Sequence, residues 1–145
     1  MFKLVIEKLL ALFQANALLQ QVYTYERADP TGTPFATITP AANESAYETT
    51  TQNRRTYGFL IRLFVERKGQ SEEGAADAAM RDLVDSVLDD LDSNWNLSGL
   101  GTKTGYTFLF MEAAPSAWGY VGRENEYRVA DIVVRVHFSV DVNLI

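Results

Sequence analysis

The stretch YGFLIRLFVE, residues 57–66, decides the fold of this chain. Every second residue in it is apolar, and these residues are Tyr57, Phe59, Ile61, Leu63 and Val65. The residues between them are mixed and include Arg62 and Glu66. Because successive side chains of a strand point to opposite faces, the pattern predicts a long strand with one buried face and one partly polar face.

The end of the chain repeats this alternation. The even-numbered residues from Ala130 to Val142 are all apolar, whereas the residues between them are mostly polar. This pattern predicts a second long strand. Shorter runs rich in aromatic and β-branched residues predict strands at Gln20–Glu26, Phe35–Thr39 and Tyr106–Ala113.

Apolar residues recur at helical spacing in two segments. The first segment, residues 2–13, predicts an amphipathic helix of about a dozen residues. The second predicts a helix from an N-cap at Ser71 to Asn94, with Glu72 and Glu73 favourably placed near its N-terminus. This order of elements predicts a single α+β domain over residues 1–145. We expect one antiparallel or mixed β-sheet with the helices packed mainly on one face.

The composition excludes several classes of protein. A chain of 145 residues is long enough for one domain with a substantial core. It has no cysteine, so disulfides, thiol catalysis and thiolate metal sites are excluded. A formal net charge of -6 argues against general nucleic-acid binding, which requires a surplus of Lys and Arg. Glu7 and Lys8 interrupt the apolar N-terminal run, so we expect neither a signal peptide nor a membrane span.

The chain offers one histidine for catalysis, His137, followed at alternate positions by Ser139 and Asp141. Neighbours on one strand point along the sheet and do not converge into a Ser-His-Asp triad. We therefore expect a half-exposed sheet histidine and predict that the protein is not an enzyme.

Two further segments resemble ligand loops only in part. Asp90, Asp92 and Asn94 have the spacing of the first three ligands of a calcium loop. Trp95 and Gly101, however, stand where that loop needs a glycine and a closing glutamate. The segment GLGTKTG, residues 99–105, lacks the Gly-Lys-Ser/Thr run into a helix that a phosphate loop requires. We predict no catalytic, cofactor or metal site.

The polar segment that precedes the long strand carries a resemblance to a known family. The residues that carry it are Pro40, Asn43, Glu44, Ser45, Tyr47, Glu48, Thr49, Thr50, Asn53, Arg54, Tyr57, Phe59, Ile61 and Arg62. With these residues the chain resembles the tail terminator, or tail completion, proteins of long-tailed bacteriophages. The predicted helix Ser71–Asn94 and the alternating C-terminal strand match the general layout of the family. The resemblance therefore covers most of the chain.

This resemblance implies a structural virion protein without a cofactor. Members of the family are small α+β subunits that assemble as a hexameric ring, which caps the tail tube, stops its polymerisation and joins it to the head-side connector. We therefore expect a homohexamer at the head-proximal end of a phage tail, made in the host cytoplasm. Its expected partners are the major tail tube protein and the head-side connector protein. DNA can pass through such a ring without specific recognition, and no membrane takes part.

The resemblance also suggests a role for the polar segment 43–55. Such a segment can leave its own subunit and extend the sheet of a neighbour, or it can meet the tail tube. The interface residues we predict are Glu44, Tyr47, Glu48, Thr49, Asn53, Arg54, Arg55 and Arg62. Arg54 and Arg55 would meet acidic groups of the neighbour, for which the helix end Asp89–Asp92 is one candidate. A plain surface loop that leads into an edge strand is the alternative.

Two other functions fit the same sequence. One is a head-tail connector, or neck, protein, which would form a similar ring on the head side. The other is a small-ligand-binding α+β domain. In that case residues 114–126 would form a loop, and Trp118 and Tyr120 would line a pocket. A stable closed oligomer favours the ring proteins, whereas a monomer is compatible with the ligand-binding domain.

Overall fold

The computed structural model of the chain describes residues 1–26, 33–67, 74–123 and 126–145. In these ranges the elements are α1 (Phe2–Gln14), β1 (Gln21–Tyr23), β2 (Phe35–Pro40), β3 (Glu44–Tyr47), β4 (Gln52–Glu66), α2 (Ala75–Ser93), β5 (Tyr106–Val121) and β6 (Tyr127–Asp141). The strands form one sheet in the order β1-β2-β4-β6-β5, and β3 pairs with β4 beyond the end of β2. The β1/β2 pair is parallel and the other pairs are antiparallel. The predicted α+β class with one mixed sheet is confirmed.

Both helices pack on the same face of this sheet. The helices bring Val5, Leu9, Phe13, Met80, Leu83, Val87 and Leu91 into one core with the strand residues Phe59, Ile61, Leu63, Ile132, Val134, Val136 and Phe138. All of these side chains are buried. The strand residues are those that the two alternating patterns placed on the apolar face. Neither described helix is both long and apolar enough to cross a bilayer.

A glycine separates β2 from β3 along the same side of β4. The N–H of Ala41 donates to the carbonyl of Gly58 at 2.8 Å, and the N–H of Gly58 donates to Asn43 Oδ1 at 2.9 Å. A Cβ atom on Gly58 would lie only 2.3 Å from the carbonyl oxygen of Ala42. The chain can therefore leave the β2 pairing and resume it as β3 only because residue 58 has no side chain.

Several element boundaries differ from the predicted ones. Strand β4 begins five residues before Tyr57, and β1 is only three residues long. The prediction that residues 114–126 form a loop is wrong for residues 114–121, since β5 continues to Val121. This strand lies at the sheet edge and its register shifts after Pro115, and edge strands and bulges are the positions where a sheet tolerates proline. The predicted N-cap of α2 at Ser71 lies outside the described residues.

Candidate interaction surface

The polar segment that precedes the long strand folds as a hairpin on its own sheet. Strand β3 pairs with residues 53–56 of β4, and residues 48–51 make the turn. Thr49 Oγ1 accepts the backbone N–H groups of Thr51 and Gln52 at 3.3 and 2.9 Å. The N–H groups of Glu48 and Thr49 in turn donate to the carbonyl of Gln52. The threonine-rich composition thus supplies the turn with local side-chain acceptors.

The hairpin side chains divide between contacts within the chain and solvent. Asn53 is 3% exposed, and its Nδ2 donates to Ser45 Oγ at 2.8 Å. Glu44 reaches across the sheet to Arg135, with 2.6 Å between Oε1 and the guanidinium. Tyr47, in contrast, is 67% exposed. Of the interface residues predicted in β3, Tyr47 is therefore the one whose side chain is most available to a partner.

Arg54 and Arg55 lie on opposite faces of the sheet. Arg54 is opposite Ser139 on the face away from the helices. Its Nε lies 3.4 Å from Glu48 Oε1 without hydrogen-bond alignment, and its guanidinium is 5.4 Å from the ring centre of Phe110. Arg55 is opposite Phe138 on the helix-covered face, where it hydrogen-bonds the hydroxyl of Tyr106. The two arginines therefore cannot act together on a single acidic patch.

The face of the sheet opposite the helices, which we call the helix-free face, carries paired charges. Arg62 makes a two-pronged contact with Asp131, with Nε–Oδ1 at 2.8 Å and Nη2–Oδ2 at 3.2 Å. Hydrogen bonding to this carboxylate raises the pKa of the Arg62 guanidinium, although partial burial opposes the shift. Arg62, predicted as an interface residue, thus already has an acidic partner one strand away.

His137 lies on the same face, and its partners among the described residues are not those of a Ser-His-Asp triad. Its Nδ1 is 2.8 Å from Thr56 Oγ1, its ring stacks on Phe110 at 4.2 Å, and its Nε2 is 3.3 Å from Glu112 Oε1. The hydroxyl of Ser139 donates to Gln52 instead. His137 is 8% exposed and Thr56 is 4% exposed, so the histidine is more buried than predicted and the threonine hydroxyl does not face solvent.

The acidic end of α2 is not assembled as a metal site. Asp90 Oδ2 accepts the side-chain amide of Asn16 at 2.7 Å, and Asn94 Nδ2 donates to the main-chain carbonyl of Asp90 at 2.9 Å. Within the described ranges, no three acidic or histidine side chains come together as a possible ligand set. Asp90 and Asn94 are therefore engaged in closing the helix end.

Besides the outer edge of the three-residue β1, two edges of the sheet are unpaired in the part of the chain that the structure describes. One is β3, whose four residues are all exposed. The other is β5, sixteen residues long, whose pairing to β6 is interrupted twice, at Phe108/Phe110 and Pro115/Trp118. This second edge carries Leu109, Phe110, Trp118 and Tyr120, which are 37–46% exposed. The sequence predicted the first half of this edge as a strand, and the second half was wrongly predicted as a loop.

A cation lies beside the rings of Trp118 and Tyr120. The guanidinium of Arg128 lies 5.2 Å from the ring centre of Trp118 and 4.4 Å from that of Tyr120. Arg128 is fixed by Asp77 of α2, with 2.6 Å between Nε and Oδ1. The cation thus occupies the space beside the two aromatic rings, and this arrangement does not support the alternative of a ligand pocket there.

Neither the models of known protein families nor the curated proteins include a match to this chain.

Proposed function

We propose that this chain is the tail terminator of a long-tailed phage, a structural subunit that assembles as a ring, caps the tail tube and joins it to the head-side connector. One observation supports this function most directly. Within the described residues, a single sheet presents unpaired strands on both sides, β5 on one side and β3, together with the short β1, on the other. The copy number of six, the tube protein and the connector protein come from the sequence resemblance.

The edges support assembly because an unpaired strand offers a row of main-chain donors and acceptors to another chain. In the ring, β5 of one subunit lies beside β3 of the next, so that the sheet continues from subunit to subunit. The two edges differ in sequence and in length, which makes the contact heterologous. Heterologous contacts form closed rings when the rotation from one subunit to the next completes a circle.

The negative charge of the chain is compatible with this role. A ring that DNA must cross should not bind the DNA strongly, and a net charge of -6 opposes non-specific attachment to phosphates. In the function we propose, His137 has no catalytic role.

A charge placed on the β5 edge tests the assembly. We expect the native mass of the parent protein to be that of six copies, and we expect Leu109→Lys to convert most of the ring into smaller species, because edge charges oppose strand addition. Leu18→Lys is the matched control, since Leu18 is 45% exposed but lies outside the sheet. Circular dichroism of both variants checks that the subunit fold is kept. A monomeric parent, or a Leu109→Lys protein that forms rings as well as the parent, would contradict the proposed assembly.

A second measurement separates a terminator from a neck protein. The purified ring is added to a polymerising major tail tube protein, and tube length is measured by electron microscopy. A terminator shortens the tubes when present at far fewer copies than the tube protein, because each ring blocks one growing end. A ring that forms but leaves tube length unchanged would favour the neck-protein alternative.

A further inference from the structure

A cavity of about 250 Å³ opens between the glycine-rich loop and the end of the sheet. Residues 96–102 form one side of it, and Tyr106, Phe108 and Phe138 form much of the other. The N–H groups of Leu97 and Leu100 donate to carbonyls within the loop. Those of Ser98, Gly99 and Gly101 make no hydrogen bond within the described residues. The loop therefore offers free main-chain donors beside the cavity.

Three cationic side chains lie next to residues that line this cavity. Lys103 Nζ lies 4.7 Å from the ring centre of Tyr106, which lines the cavity. Arg55 hydrogen-bonds the Tyr106 hydroxyl, and its guanidinium lies 5.5 Å from the centre of the same ring. On the loop side, Lys8 Nζ is 3.4 Å from the position that a Cβ atom on Gly99 would take. Arg55 and Lys103 thus contact the same tyrosine, and Lys8 lies on the loop side of the cavity.

These three cations have no acidic partner in the described part of the chain. Arg54, Arg62, Arg128 and Arg135 each form an ion pair, whereas Lys8, Arg55 and Lys103 form none there. The positive charge of Lys103 and Arg55 affects the Met1 amino group. Burial, followed by the charges of Lys103 and Arg55, lowers the pKa of the Met1 amino group, which lines the cavity. Like charges held together in this way are stabilised by a bound anion.

We propose that this cavity binds a small phosphate monoester, with the phosphate held by Arg55, Lys103 and the Tyr106 hydroxyl. A doubly charged tetrahedral oxyanion matches the forked guanidinium and the point charge of a lysine better than a single carboxylate does. The free N–H groups of the loop add further donors, as in other concave anion sites. The chemistry differs from that of a phosphate loop, because strand β5 follows the glycines and the cations come from separate elements. The proposal is independent of the ring assembly.

Calorimetric titration at low ionic strength tests the binding, with inorganic phosphate and adenosine monophosphate as probes and acetate as the comparison anion. We expect saturable binding of both phosphates and much weaker binding of acetate. In the double variant Arg55→Gln with Lys103→Gln, we expect phosphate binding to weaken by about tenfold or more, since two charge-assisted contacts are lost. Arg81→Gln with Arg123→Gln removes the same charge from exposed positions and should leave the affinity within about twofold of the parent.

A measurement on the parent chain guards against a variant that fails to fold. In a phosphate titration followed by amide NMR, we expect the largest shifts at Ser98, Gly99, Gly101 and Tyr106. The proposal is overturned if neither phosphate binds at millimolar concentration or if acetate binds equally well. It is also overturned if the shifts lie elsewhere, or if the Arg55/Lys103 variant binds as the parent does.

Discussion

The two faces of the sheet are built from the same strands but differ in what holds their side chains. On the helix-covered face, Ile61 and Val134 are fully buried under α1 and α2. On the helix-free face, their neighbours Leu60, Arg62 and Arg135 are only half-buried, and the charged ones are paired with acids. The difference indicates that, at these positions, hydrophobic burial under the helices contributes most to stability. At these positions the other face is held by polar pairing.

A matched pair of truncations on β4 measures this difference and should have the largest effect. Ile61→Ala removes fully buried methylene groups and should lower the free energy of unfolding by about 2–5 kcal/mol, through lost burial and the cavity left behind. Leu60→Ala, one residue away on the helix-free face, should cost roughly 1 kcal/mol, because Leu60 is already partly solvated in the folded subunit. Urea unfolding followed by circular dichroism gives both values. Equal losses would show that the helix-free face is as important to stability as the core.

Gly58 should be an exception to this difference between the faces, because a substitution there should be destabilising although it lies on the helix-free face. It lies on the helix-free face, opposite Arg135, yet it contacts the main chain of Ala42 with no space for a side chain. Gly58→Ala should lower the free energy of unfolding by about 1–3 kcal/mol, because a methyl group would force the backbone apart where β2 gives way to β3. Gly101→Ala is the control, since a Cβ there would meet only the flexible side chain of Leu4. If Gly58→Ala unfolds at the same urea concentration as the parent, the close approach of Ala42 is not structurally important.

The contrast between the faces also explains which parts of the fold could be predicted. Strands β4 and β6 and helix α2 each bury one side, so their apolar residues recur with a clear period. Strand β5 is partly exposed along its length and contains Pro115, so alternation did not reveal its second half. The opposite orientation of Arg54 and Arg55 follows from the fact that the strand begins at Gln52. The residues around Gln52 are polar, so no alternation of apolar residues marked this part of the strand.

The candidate site could not be predicted from any one strand, because its contacts join residues that are distant in the sequence. The pairing of Arg62 with Asp131 requires the register between β4 and β6, which aligns residues 69 positions apart. The cavity cations come from α1, β4 and the loop after α2, so only the folded chain brings them together. The predicted interface residues are brought together as the hairpin and its neighbour strands. They divide between the two faces, since Asn53 and Arg55 lie on the helix-covered face and Arg54 and Arg62 on the helix-free face.

The smallest effect that we expect concerns the charge pairs of the helix-free face themselves. A double-mutant cycle with Arg62→Ala and Asp131→Ala should give a coupling free energy of about 1 kcal/mol. This value reflects the two-pronged geometry and the partial burial of Asp131, whose side chain is 14% exposed. The control cycle is Lys3→Ala with Glu7→Ala on α1, where the atoms are 3.7 Å apart and the Lys3 side chain is 85% exposed. There we expect a coupling of only about 0.3 kcal/mol.

Urea unfolding at low salt and at high salt should show the α1 coupling disappear first, because exposed charges are screened more effectively than partly buried ones. If the two couplings are equal and equally sensitive to salt, the Arg62–Asp131 pair is an ordinary surface contact, and the helix-free face derives no order from its charges.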